Sequence, residues 1–130
     1  LANILRTQSY VSSWTALQYY SLTTEAIRSI TSVTLKVTRD YETKTGTFSY
    51  QSINKNLFSD YSLVKGKFDF YIASPSKALF DLLYFRTHQF RSVRLEDVGK
   101  IVEEFRIDID EMDEAERNKF YEKVKAYLHE

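Results

Sequence analysis

Apolar and polar residues change their period along this chain, and each period predicts an element. In TSVTLKVTR, residues 31–39, Val33, Leu35 and Val37 alternate with Ser32, Thr34, Lys36 and Thr38. A period of two with β-branched residues predicts a half-buried strand, with Lys36 and Thr38 on its polar face. DYETKTGTFSYQSI, residues 40–53, continues as a hairpin that turns at residues 44–46, with Phe48 and Tyr50 alternating beyond. YSLVKGKFDFYIA, residues 61–73, predicts a second hairpin with its tip at residues 65–67. Phe68, Phe70 and Ile72 share one face of it.

Elsewhere the period is helical. Ser12 or Ser13 is placed to cap a short helix running to about Tyr20, with Trp14 and Leu17 inside. Thr23 or Thr24 is placed to cap a second one over residues 25–29. In IASPSKALFDLLYF, residues 72–85, Ser74 reads as an N-cap and Pro75 as the first helical residue. That helix runs to about Arg86. Leu95, Val98, Ile101, Val102 and Phe105 mark another by their spacing of three and four. A last one begins at Asp113, with Glu116 closing a capping box and Phe120, Val124, Tyr127 and Leu128 inside. The expected fold is α+β: a mostly antiparallel sheet with hairpins, short N-terminal helices and three C-terminal helices.

The 130 residues suit a single domain spanning 1–130, and 43% hydrophobic with 28% charged residues is a globular composition. Cysteine is absent, which excludes disulfides, thiolate metal sites and cysteine nucleophiles. That fits a cytoplasmic protein. No stretch reads as a membrane span or a signal peptide. The chain begins with Leu1 rather than Met, as expected of a fragment whose upstream part is missing.

Formal net charge is zero, yet it is split. Residues 1–94 carry 12 Lys and Arg against 6 Asp and Glu; residues 95–130 carry 6 against 12. The basic part either meets an anionic partner or is covered by the acidic helices.

On a helical wheel of 100° per residue, Lys77, Asp81, Tyr84 and His88 form one stripe, while Ala78, Leu79, Leu82, Leu83 and Phe85 fill much of the rest. The pattern predicts a solvated line carrying an i,i+4 ion pair worth a few tenths of a kcal/mol. The alternative is that the stripe borders a groove or partner surface. Arg28, Lys36, Arg39 and Lys44 cluster near the first hairpin, beside Tyr41 and Tyr50. Such a patch suits phosphate contacts and base stacking, or it is an ordinary solvated sheet face. Asp40, Glu42 and Lys44 form an E-x-K pattern with a neighbouring acid, the pattern of metal-dependent nucleases. It is common by chance, and charges belong beside a turn in any case. The two histidines, His88 and His129, have no metal-ligand spacing, and glycines are too few for a phosphate loop. No catalytic residue, metal site or cofactor is expected.

YVSSWTALQYYSL, TSVTLKVTRDYETKTGTFSYQSI and IASPSKALFDLLYF occur in an order that resembles the AbiEi-type antitoxins of bacterial abortive-infection toxin–antitoxin systems. The resemblance covers roughly residues 8–86. Where the family usually has Gly after the tyrosines near residue 20, this chain has Ser21. The resemblance implies the C-terminal domain of a transcriptional regulator. An upstream winged helix, absent from this chain, would bind operator DNA of the toxin–antitoxin operon. The C-terminal domain would counter a nucleotidyltransferase-like toxin, without a stable complex being required. The expected function is therefore non-enzymatic regulation. The alternatives are a nuclease-like domain using Asp40, Glu42 and Lys44, and a plain homo-oligomerisation module.

Overall fold

The computed structural model describes residues 9–23, 29–36, 38–44, 46–66 and 69–128. Its strands are β1 (Ser9–Val11), β2 (Ser29–Thr34), β3 (Arg39–Thr43), β4 (Gly46–Ser52), β5 (Tyr61–Val64) and β6 (Phe70–Ala73). Its α-helices are α1 (Ser13–Tyr19), α2 (Pro75–Arg86), α3 (Val98–Glu104) and α4 (Glu114–Leu128), with short 3-10 turns between them. The class is α+β, and three α-helices follow the sheet.

The strands form one sheet in the order β3-β4-β2-β1-β6-β5. β1–β2, β3–β4 and β5–β6 are antiparallel; β2–β4 and β1–β6 are parallel. The sheet is thus mixed, although both expected hairpins are present. After β2 the chain moves out to the edge as β3 and returns as β4 beside β2, which makes β2 and β4 parallel.

β2 is shorter and more enclosed than its alternation predicts. It ends at Thr34, Leu35 is 36% exposed, and Lys36 sits on a bend where its N–H donates to Thr34 Oγ1 at 3.1 Å. Val37 lies outside the described residues. Val33 is buried as expected, but Ser32 and Thr34 on the opposite face are buried too. A strand this central has both faces covered, so alternation cannot mark a wet side. The helix expected over residues 25–29 falls largely outside the described residues; Ser29 opens β2.

α2 begins and ends where its sequence says. Ser74 accepts from the Lys77 N–H, Pro75 fills the first turn, and Arg86 is the last residue. It lies over the Tyr10 face of the sheet and packs against α1, α4 and β6. Leu79, Leu82 and Leu83 are buried there, with Phe80, Tyr84, Phe90 and Tyr127 in a web of ring contacts 5.4–6.3 Å apart. In α4, Phe120 and Val124 are buried as predicted. Glu116, expected in a capping box, reaches α2 instead: it accepts from the Ser76 N–H at 3.2 Å and pairs with Lys119.

Candidate functional site

The polar stripe of α2 faces inward. Lys77 and Asp81 have 0% exposure and Tyr84 has 5%, so the expectation of a solvated line is wrong. His88, past the helix end, is exposed. The reason lies 70 residues upstream in the sequence, roughly the separation between Asp81 and its two hydroxyl partners. Tyr10 on β1 donates to Asp81 Oδ2 at 2.9 Å, and Ser12, at the β1–α1 junction, donates to the same oxygen at 2.7 Å. Lys77 Nζ donates to Tyr10 Oη at 3.0 Å and pairs with Asp81 Oδ1. The ammonium also lies 5.6 Å from the Tyr10 ring centroid and 5.4 Å from that of Phe80. Tyr10 and Ser12 are themselves fully buried.

Local sequence builds this arrangement simply. Positions 77 and 81 are one turn apart, so both side chains leave α2 on one side. Tyr10 points to the α2 face of β1, where it stacks on Tyr61 at 4.9 Å and tilts against Phe58 at 5.1 Å. Ser12 is the N-cap residue of α1 by position, but its hydroxyl makes no cap bond. It is committed to Asp81. The helical pattern offers Ser12 or Ser13 as the cap and marks no role for Tyr10. A signal was present: a buried charge requires partners, and YVSSW supplies three hydroxyls in an apolar setting, two of which reach Asp81.

Burial pushes Asp81 above the usual carboxylate range and Lys77 below the usual lysine range. Each is opposed by the other's charge, and hydrogen bonds from Lys77, Ser12 and Tyr10 also favour the carboxylate. With three donors on Asp81, the ion pair is the state this geometry supports. Tyr10 is held protonated, first by burial and then by Asp81, which keeps it a donor. All four side chains are fully buried, and the Ser12 hydroxyl donates to a carboxylate already paired with Lys77. The cluster ties β1, the start of α1 and the first turns of α2 together. An apolar pocket of about 250 Å³, lined by Val11, Tyr19, Ile30, Phe48 and Ile72 among others, lies on the opposite sheet face.

The basic residues are outside this centre. Lys36 follows β2, Arg39 opens β3, Lys44 sits in the β3–β4 turn, and all three are exposed. Arg28 lies outside the described residues. Arg39 lies 5.3 Å from the Tyr41 ring centroid. Tyr41 meets Tyr50 edge-on at 5.5 Å, but Tyr50 is fully buried and cannot stack on a base. Among the described residues, Lys36, Arg39 and Lys44 make no ion pair with the acidic helices; α4 meets the basic half through Lys123–Asp60 and Glu116–Ser76. Asp40 and Glu42 point away from Arg39 and Tyr41, on the other face of an edge strand. No group of three His, Asp or Glu side chains among the described residues is arranged to hold a metal ion. No described helix is long and apolar enough to cross a membrane.

Compared with known protein families, curated proteins and solved structures, the chain matches none.

Proposed function

We propose that this chain is a non-enzymatic regulatory domain of an AbiEi-type antitoxin and transcriptional repressor. One observation carries the reading. Two of the three stretches on which the resemblance rests, YVSSW and ASPSKALFDLLY, supply all four members of the buried cluster. The third stretch forms β2, β3 and β4 beside them. Widely separated parts of the resemblance thus meet at one centre, as shared motifs do when they encode a common fold. A sealed cluster also suits a domain that acts by its surface rather than by turnover.

In this reading, operator DNA is bound by a winged helix upstream of this chain in the cytoplasm. The domain itself counters a nucleotidyltransferase-like toxin, and the exposed Lys36, Arg39 and Lys44 are its working surface. The test is co-expression of this chain with the nucleotidyltransferase-like protein encoded beside it. Growth restored by the chain, without the upstream region, supports the reading. A toxic neighbour that the folded chain leaves fully toxic rejects it.

A further inference from the structure

The two edges of the sheet differ in chemistry. β3, at one end, carries Arg39, Asp40 and Glu42, and charges along an edge discourage pairing with another chain. β5, at the other end, is Tyr61-Ser62-Leu63-Val64, with no charge and no proline. Tyr61 is 40% exposed and Leu63 42%. Tyr71, which pairs with Leu63 across the β5–β6 hairpin, is 43% exposed. The register puts Tyr61, Leu63 and Tyr71 on one face. They are half of the six large apolar side chains most exposed among the described residues, so the apolar surface is concentrated at the unguarded edge.

We propose that β5 is a dimerisation edge, pairing antiparallel with β5 of a second copy of this chain to join two six-stranded sheets into one. A second copy is the occupant that the chemistry favours. A neutral strand opposed to itself brings no like charges together, whereas β3 opposed to itself would set its acids near each other. A charged partner strand would find no complement on β5. The period of two also limits the register. A two-fold axis must set one residue opposite its own copy, because odd offsets oppose side chains from different faces, and the central Ser62 or Leu63 at the axis gives the longest overlap. In either register, Tyr61, Leu63 and Tyr71 extend across the axis as one apolar band.

The absence of cysteine makes a clean test. Directly opposed Cα atoms lie about 4.5–5.5 Å apart in antiparallel pairs, within the range a disulfide spans. Light scattering should show a concentration-dependent dimer. Mild oxidation should cross-link Ser62→Cys or Leu63→Cys, but not Glu42→Cys on β3. Leu63→Lys should dissociate the dimer with its circular dichroism unchanged. A chain monomeric at its highest soluble concentration overturns the proposal. So does a dimer that cross-links at neither β5 position and survives Leu63→Lys. A monomer that instead binds a different protein strand through β5 also overturns it, since the occupant would then be wrong.

Discussion

Ser12 Oγ and Asp81 Oδ2, 69 residues apart in the chain, are hydrogen-bonded at 2.7 Å with both side chains fully buried. With Tyr10 and Lys77 they turn a helical ion pair into a tertiary joint. Removing one partner of a buried pair leaves the other charge uncompensated, which costs about 3–5 kcal/mol. Asp81→Ala is therefore expected to destabilise about as much as Leu82→Ala or Leu83→Ala, where truncation in the core costs roughly 2–5 kcal/mol. Urea denaturation of the three variants checks this. An Asp81→Ala loss near the ~0–1 kcal/mol of an exposed pair would mean that the cluster is not sealed.

The double variant Lys77→Met/Asp81→Leu tests what the pair is for. Both charges leave together, so no unpaired charge remains, although the buried Tyr10 and Ser12 hydroxyls lose their acceptor; similar-sized apolar groups often restore or exceed the original stability. Most of the loss seen in Asp81→Ala should be recovered. A double variant as unstable as the single one would show that Tyr10 and Ser12 depend on Asp81 as their acceptor.

The pH dependence follows from the signs. Between about pH 5 and pH 9 the unfolded pair holds one proton, on the lysine. The folded pair also holds one, wherever it resides, so the pair contributes no slope there. In Lys77→Met the balance changes. Asp81 keeps its burial, which raises its folded pKa, and loses the cation that opposed it. A raised folded pKa gives stability that is fully present below the unfolded value of about 3.9 and is lost as pH rises through the folded value. Lys77→Met should be relatively more stable in acid than at neutral pH, compared with the parent chain. Melting temperatures across this range decide it, and an unchanged profile would refute the assignment.

Much of the fold was legible where one physical rule dominates. Ser74, Pro75 and Arg86 delimit α2 because capping and the geometry of proline act locally. Both hairpins follow from turn chemistry and alternation. What was illegible depends on distant partners. The wheel that groups Lys77 with Asp81 is correct, but it cannot say whether that side meets water or Tyr10 and Ser12. Alternation in β2 likewise marks two faces without revealing that Ser32 and Thr34 are also covered. The parallel β2–β4 pairing arises from the excursion of β3 to the edge, which no local pattern encodes.

The end of α2 offers a stabilising change. Thr87 is its C-cap, and the Gln89 N–H bonds to Tyr84 O at 2.7 Å, the closing bond of a Schellman turn. His88 occupies the left-handed position with φ of 53°, where glycine is usual, and its side chain is exposed. Left-handed backbone costs a residue with a Cβ roughly 1–2 kcal/mol, part of which glycine returns as unfolded-chain entropy. His88→Gly should raise stability by about 0.5–1 kcal/mol, read as a higher denaturation midpoint. A loss would mean that the histidine side chain makes a contact that outweighs its strain.

The last prediction separates folding from function at the first hairpin. Lys36 and Arg39 are exposed, and neither is ion-paired to the acidic helices among the described residues. Internal neutralisation of this face, one of the two expectations raised by the charge split, therefore finds no support at these residues. Reversing both to Glu should change stability by no more than about 1 kcal/mol, since surface substitutions usually cost little. Among the described residues, the Arg39 contact with the Tyr41 ring is the side-chain interaction lost, and exposed cation–π pairs contribute about 0.5–1 kcal/mol at most. If the face works against an anionic partner, the double variant keeps its fold and loses protection from the toxin. Contact with that partner by the parent chain should weaken as salt rises, because phosphate binding releases counterions. Full protection by a stably folded Lys36→Glu/Arg39→Glu chain would exclude this surface. Growth assays and thermal melts on the same variants read the two outcomes independently.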